Sequence, residues 1–372
     1  MSGAARHLYV HLPFCASRCG YCDFVTLVGR REGHAAYVDA LLAELGLERE
    51  RLADRVETVF LGGGTPTFTR PEELARLVAS LPNAAEVTVE ANPETVTPAL
   101  AALLRREGVT RVSLGAQSFH PALLAVLERR AGPEAVRAAF YHLRDAGFDN
   151  ISLDLIYGIP GQSPADLDLD LAEAIALGPE HLSCYELEAK PGTRFTAAHG
   201  EELQRQADAL EGYFELVVET LVGAGFRWYE TANFCRPGRQ ARHNLGYWRG
   251  EDYLGLGIGA VSTVSGVRWR NGSRLAGYLQ ALEDGRRPPR DEEPLGLDVA
   301  SRERLMLGLR LDEPLPLAQV EGALDGKALA RMERLGLAER RAGGLVLTRR
   351  GRFLGGGVTA ELMAESPAKS TI

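Results

Sequence analysis

Three cysteines stand within eight residues near the start of this 372-residue sequence, in Cys15-Ala-Ser-Arg-Cys19-Gly-Tyr-Cys22, and only Cys184 and Cys235 occur elsewhere. Three thiolates in one short loop can each ligate one iron of a cubic iron–sulfur cluster. With no fourth cysteine nearby, one iron lacks a protein ligand, and an open position on a metal is a place for chemistry, as it is in catalytic zinc sites. The competing arrangement is a zinc centre completed by His11, Cys184 or Cys235. Zinc motifs usually come as two paired knuckles, and there is no second Cys-x2-Cys here. The spacing therefore favours the cluster.

The loop follows an apolar run, His7-Leu-Tyr-Val-His-Leu-Pro-Phe14, so it begins where a strand ends. Further strands are predicted at 56–61, 86–91, 111–116, 150–157 and 181–187, each rich in β-branched residues and bounded by Gly, Pro or Asn. Helical periodicity lies between them, as in Val38, Leu41, Leu42 and Leu45, and again over 100–106, 135–146 and 165–176. Six βα repeats mean parallel strands with helical crossovers. An open twisted sheet and a closed or partial barrel fit that pattern equally.

Polar and glycine residues collect at the C-terminal ends of these strands: Gly62-Gly-Gly-Thr65, Glu90 and Asn92, Gln117, Asp154, then Tyr185 and Glu186. In βα folds the loops at that end converge on the active site. Glycines let a ligand lie against the backbone, and the Gly-Lys-Ser/Thr of a phosphate loop is absent. Glu90 and Gln117 can hydrogen-bond a bound ligand or be plain solvated strand ends. Arg129 can pair with a carboxylate or sit at the surface beside Arg130. Asp154, between apolar strand residues, needs a partner.

A second constellation is Arg242-His243-Asn-Leu-Gly-Tyr247-Trp248. Imidazole is a common axial ligand of haem iron and flat aromatics stack on porphyrins. A histidine beside aromatics is also an ordinary packed, hydrogen-bonded residue. The Gly255-x-Gly257-x-Gly259 run is a weak dinucleotide signal, since a strand-like Val261-Ser-Thr-Val follows it. Residues 200–224 read as one amphipathic helix, 226–235 as a strand-like run and 283–294 as a connector. Helices at 302–309, 317–324 and 327–335 with a hairpin at 337–348 resemble a winged helix, here read as a small packing domain with a solvated basic face.

Composition bounds the rest. The profile is that of a soluble globular protein, and a formal net charge of −8 argues against a nucleic-acid surface spread over the molecule. The first residues of the sequence hold no long apolar h-region, and no apolar run approaches the length of a membrane span. A cytoplasmic location is expected, without a membrane span; peripheral membrane contact stays open.

Taken together, the 8–15 stretch, Tyr21-Cys-Asp-Phe24, Gly62-Gly-Gly-Thr-Pro-Thr67, Glu90-Ala-Asn-Pro93, the 111–119 stretch and Asp154-Leu-Ile-Tyr-Gly-Ile-Pro-Gly161 resemble the radical S-adenosylmethionine (SAM) superfamily, in its HemN-like, oxygen-independent coproporphyrinogen III oxidase-like family. Phe24 stands where the decarboxylases of that family carry a further cysteine. With the His-Asn-x-x-Tyr-Trp motif, this makes the chain similar to the haem-chaperone branch. The resemblance implies an α/β fold: a partial (β/α)6 TIM-like radical SAM barrel with a C-terminal, mainly helical, winged-helix-like domain. The implied division is 1–235 for the barrel, 236–290 for a connecting segment, 291–365 for the C-terminal domain and 366–372 for a disordered tail.

The resemblance further implies a [4Fe–4S] cluster on Cys15, Cys19 and Cys22, with SAM on the open iron contacting Tyr9, Gly63, Gly64, Thr65, Glu90, Gln117, Arg129 and Asp154. Haem would bind at His243, Tyr247 and Trp248. Implied partners are haem, a haem-acceptor protein and an electron donor such as a flavodoxin or ferredoxin, with no nucleic acid. Three positions depart from the family pattern: Ala131, Val261 and Lys190. Two other functions compete with haem delivery: oxidative decarboxylation of coproporphyrinogen III, and a zinc-stabilised DNA-binding regulator.

Overall fold

The computed structural model describes residues 3–188, 190 and 194–364. The tail expected at 366–372 lies outside them. Strand β1 (His7–Leu12) leads to two-residue strands β2 (Phe14–Cys15) and β3 (Leu27–Val28), which pair with each other and bracket the cysteine loop. Then come β4 (Thr58–Gly63), β5 (Glu86–Ala91), β6 (Arg111–Gln117), β7 (Ile151–Tyr157) and β8 (His181–Glu186). They lie in the order β1-β4-β5-β6-β7-β8, every neighbour parallel. A sheet that grows in one direction through right-handed crossovers keeps its helices on one face and leaves the other as an interior. This order selects the partial barrel from the two arrangements open to periodicity.

The crossover helices are α1 (His34–Glu48), α2 (Pro71–Ser80), α3 (Pro98–Arg106), the short α4 (Pro121–Val126), α5 (Pro133–Asp145) and α6 (Pro164–Leu177). Five of them, α2 to α6, carry proline in the first turn, where its missing N–H costs nothing. Ser163 and Asp166 close a capping box on α6. One face of the parallel strands, with Leu8, Val10, Val59, Leu61, Val112 and Leu153, is buried in a core shared with Leu41, Leu77, Leu104 and Phe140 of the helices. The alternate residues point to the interior and are polar: Tyr9 and His11, Glu90, Ser113, Asp154, Ser183.

After β8 come α7 (Arg194–Gln206) and α8 (Leu210–Gly223), separated by a 3-10 turn at Ala207–Ala209. The single helix expected over 200–224 is therefore broken. The strand-like run is a hairpin, β9 (Arg227–Glu230) and β10 (Asn233–Cys235), that extends the sheet beyond β8. Helix α9 (Arg242–Trp248) carries the His-Asn-x-x-Tyr-Trp motif. Beyond it, β11 (Tyr253–Leu256) adds in parallel to the free edge of β1. Strands β12 (Val261–Val264) and β13 (Val267–Asn271) follow antiparallel, then α10 (Leu275–Glu283).

The expected connector at 283–294 is corrected in its second half, which is edge strand β14 (Arg290–Pro294) on β13. Its charges and proline suit an edge, where one side meets water and the far N–H groups need no partner. The C-terminal part has its own core around Leu305, Leu329, Leu345 and Leu362. It comprises α11 (Leu297–Gly308), β15 (Leu315–Pro316), α12 (Gly326–Arg334), the hairpin β16 (Ala338–Arg341) and β17 (Gly344–Leu347), α13 (Arg349–Phe353) and α14 (Gly355–Leu362). The helix expected at 317–324 is two 3-10 turns instead. Several arginines of this part face carboxylates of the chain: Arg331 pairs with Glu361, Arg340 with Glu333 and Arg349 with Glu219.

Candidate metal centre and adjoining cleft

The cysteine loop leaves β1 at the C-terminal end of the barrel and is stitched to the glycine loop after β4. The Gly64 N–H donates to Leu12 O and the Thr65 N–H to Phe14 O, at 2.8 and 2.9 Å. Gly63 has φ +109°, and a Cβ there would come within 2.4 Å of the His11 ring. No other residue combines that backbone with that approach. The Gly63 N–H itself donates to Glu90 Oε2 at 3.0 Å. The glycine run is thus required by contacts within the chain.

All five cysteines are free thiols; Cys15 is buried, Cys19 and Cys22 are half-buried. A polar network joins the first two. Thr65 Oγ1 donates to Cys15 Sγ (3.5 Å), Asn92 Nδ2 to Thr65 Oγ1 (3.1 Å), and the Arg129 guanidinium to Asn92 Oδ1 (3.0 Å), Gly115 O (3.0 Å) and Cys19 Sγ (3.7 Å). Burial raises the Cys15 thiol pKa, offset in part by the Thr65 bond, and burial raises that of Cys22. The thiolate is the metal ligand, so a metal binding here must displace protons that burial helps the thiols to keep. Among the described residues no three His, Cys, Asp or Glu side chains converge on one point where a single ion would sit. The donor set of three free thiols from one loop, with a cation and a hydroxyl at two of the sulfurs, fits a cluster.

Below this rim the interior carboxylates are half-buried. Ser113 Oγ donates to both oxygens of Asp154 (3.1 and 3.0 Å) and Ser152 Oγ donates at 3.3 Å. Burial raises the Asp154 pKa despite those bonds. Burial, then the nearby Asp154 charge, pushes Glu90 up to about 7. Its folded pKa lies above the unfolded value near 4.3, so the folded state binds the extra proton and stability falls as pH rises from about 4 to 7. Glu90→Gln is therefore expected to stabilise the cluster-free protein at pH 8 by about 1–2 kcal/mol and to change little at pH 4. Urea denaturation at the two pH values checks this; an equal or opposite effect at pH 8 contradicts it.

Gln117 ends β6 at an irregularity in the β6–β7 pairing, with φ +67°. Tyr9 lies in the interior, its hydroxyl bonded to His11 Nδ1 (3.0 Å), while His11 Nε2 donates to Val25 O (2.8 Å). The structure thus gathers Cys15, Cys19, Thr65, Glu90, Gly63, Gly64 and Arg129 around the loop; Tyr9 and Asp154 lie deeper. Ser113 was not among the expected site residues, and Asn92 was noted as a polar strand-end residue but not as a ligand contact. Their signal in the sequence was position, at or facing the C-terminal half of an interior strand.

The motif helix α9 closes the other end of the interior. His243 is 1% exposed and stacks on Phe60 (5.1 Å between ring centres). A chain of hydrogen bonds runs Tyr247 OH, His243 Nε2, His243 Nδ1, Thr58 Oγ1, His7 Nδ1, His7 Nε2, Glu251 Oε2, with contacts of 2.8, 2.7, 2.8 and 2.6 Å. With Glu251 as terminal acceptor and both imidazoles neutral, every hydroxyl and N–H donates once in the direction of Glu251. The lone pair of His243 Nε2 then receives the Tyr247 proton. Only glycine fits at 246, because a Cβ would come within 2.7 Å of His7 Nε2.

Tyr247 and Trp248 themselves border a cleft of 1360 Å³ between the β11–β12–β13 edge of the sheet and the C-terminal part. The cleft reaches Tyr9, His11 and the residues just after Cys22. Of the three departures from the family pattern, Val261 lies on its floor, Ala131 is buried and Lys190 is paired with Glu188.

Fold and site define a radical SAM protein: residues 9–173 match the radical SAM superfamily, and residues 296–354 match the HemN C-terminal domain. The chain is 40% identical over 375 residues to heme chaperone HemW of Mycobacterium tuberculosis H37Rv, across 98% of this chain and 96% of that one. Identity to heme chaperone HemW of Bacillus subtilis 168 is 32%, across 96% and 99%. Among solved structures, coproporphyrinogen III oxidase (HemN) of Escherichia coli, a radical SAM enzyme, matches with a TM-score of 0.79 at 26% identity, across 95% of this chain and 89% of that one. The chain belongs to the HemW family. Among the described residues no helix is long and apolar enough to cross a membrane.

Proposed function

We propose that this protein binds haem and passes it to an acceptor protein, and that Cys15, Cys19 and Cys22 hold a [4Fe–4S] cluster whose fourth iron takes SAM. The observation that carries the reading is the relationship to proteins named heme chaperone HemW along 98% of the chain, which takes in the cluster loop, the α9 motif and the C-terminal part alike. Phe24 supports it: 58% exposed at the cleft, it supplies an apolar surface where a cysteine would supply another metal ligand.

When bound, the cluster supplies an electron for SAM cleavage or a redox state that governs haem release. The chain's own residues do the rest. Thr65 and Arg129 orient and screen two sulfurs, and the Gly63–Glu90 bond fixes the loop against which a cationic ligand would lie. The half-buried carboxylates Glu90 and Asp154, whose burial favours their protonated forms, would gain from a cationic group placed beside them. The cytoplasm, an electron donor of the flavodoxin or ferredoxin kind and the absence of a nucleic-acid partner belong to the same reading.

Haemin titration of the purified protein, followed in the Soret region, tests it. A saturable shift at one equivalent, and transfer of that haem to an apo-acceptor such as apomyoglobin, are expected; no shift removes the proposal. The likeness to coproporphyrinogen III oxidase over 95% of the chain favours a second reading, radical decarboxylation of coproporphyrinogen III. Formation of vinyl product by the anaerobic, reduced, SAM-loaded protein would establish it in place of the first.

A further inference from the structure

We propose that the cleft between the sheet edge and α11 is the tetrapyrrole site, with Arg270 and Arg304 as anchors for the ligand's two carboxylates. The proposal rests on the haem reading above and adds where the ligand lies and what recognises it.

The floor of the cleft is one face of β12 and β13. On β13, Trp269 and Asn271 are buried in the core, while Arg268 and Arg270 alternate with them and face the cleft. The roof is α11, which contributes Leu297 and Leu307, with Leu297 90% exposed. Phe24 and Trp248 complete the apolar rim. A volume of 1360 Å³ exceeds the roughly 300–1,000 Å³ that buries an ordinary small ligand. The cleft therefore has room for an occupant larger than that, with an apolar rim and charged walls to meet it.

The charges define it further. Of the carboxylates at the cleft, Glu303 holds Arg268 through two bonds (2.7 and 2.6 Å), Asp298 holds Arg302, and Glu251 holds His7, while Asp23 and Glu321 line it without an ion pair among the described residues. Asp252 accepts the Ser265 N–H. Among the cations, Arg249 is tied to Glu313. Arg304, from the roof, has only neutral acceptors, Gln319 Oε1 and Trp248 O. Arg270, from the floor and exposed, has no hydrogen bond or ion pair among the described residues. Two arginines on opposite walls, neither in an ion pair among the described residues and both close to the apolar rim, fit a flat dicarboxylic acid. Guanidinium is the group that pairs such carboxylates in two-point fashion. The cleft also touches the segment directly after Cys22, so its occupant lies beside the cluster loop.

Arg270 is the anchor to vary, because its side chain holds nothing else in place. Affinities for haemin and for its dimethyl ester, which keeps the ring and iron and caps both carboxylates, are to be measured on wild type, Arg270→Ala, Arg270→Glu and Arg270→Lys. Wild type is expected to prefer haemin by about tenfold or more. Arg270→Ala and Arg270→Glu reduce that preference by about tenfold, Arg270→Lys by less, and affinity for the ester is unchanged in all three. Circular dichroism and thermal melting identical to wild type confirm that the variants are folded. Haemin binding by wild type with the same preference in every variant overturns the cleft assignment while leaving the haem reading intact. No haemin binding by wild type overturns both.

Discussion

Replacing Cys15, Cys19 and Cys22 together by alanine is expected to leave a folded protein with no bound iron or sulfide after anaerobic reconstitution, and with none of the brown charge-transfer absorption of the wild type. The thiols contribute little to the fold. Cys15 is the only one of the three that is buried, and the loop is held by backbone bonds, Leu27 N–H to Pro13 O and Gly29 N–H to Cys15 O, that alanine retains. The ligand set, by contrast, is lost outright, since Cys184 and Cys235 are buried elsewhere in strands β8 and β10. The effect is all or none. Iron and sulfide assays beside a circular dichroism spectrum check it; a triple variant that keeps its iron and sulfide contradicts the assignment.

His243→Ala is expected to cost about 3–5 kcal/mol of stability. The substitution empties a fully buried ring site and leaves Thr58 Oγ1 and the Tyr247 hydroxyl without the partner that sits between them. Both losses act in the same direction. Urea denaturation measures it, and a loss below about 1 kcal/mol contradicts the account. Tyr247→Phe separates support from ligation. Removing the tyrosine proton frees the Nε2 lone pair of His243, so a ligating His243 strengthens haem coordination in this variant. If His243 serves only to hold the wall of the cleft, Tyr247→Phe costs stability without any change in the haem spectrum.

The parallel strands and most of their crossover helices were legible because local signals agree with the tertiary arrangement. Glu86–Ala91 alternates as an interior strand must, and the prolines at 71, 98, 121, 133 and 164 open helices. The cluster loop was legible for a different reason: sulfur spacing is a chemical signature that needs no fold. What escaped was set by partners remote in sequence. Strand β14 is four charged residues and a proline, and becomes a strand only because β13 offers it an open edge. Strand β11 joins β1 across more than two hundred residues, which no local pattern announces. His243 looked the same in the sequence whether it faced a ligand or a hydrogen-bond chain. Thr58, His7 and Glu251, which decide the matter, come from three other places. Arg270 gave no signal either, since an arginine in a strand becomes notable only when its neighbours are seen to leave it unpaired.

The central claim is that three cysteines leave one iron of the cluster open to SAM. Electron paramagnetic resonance of the dithionite-reduced, anaerobically reconstituted protein, recorded before and after adding SAM, addresses that iron directly. The account predicts the signal of a reduced cubic cluster whose g values shift when SAM is added. A spectrum that SAM leaves unchanged, or the lack of any cluster signal in protein loaded with iron and sulfide, would contradict it.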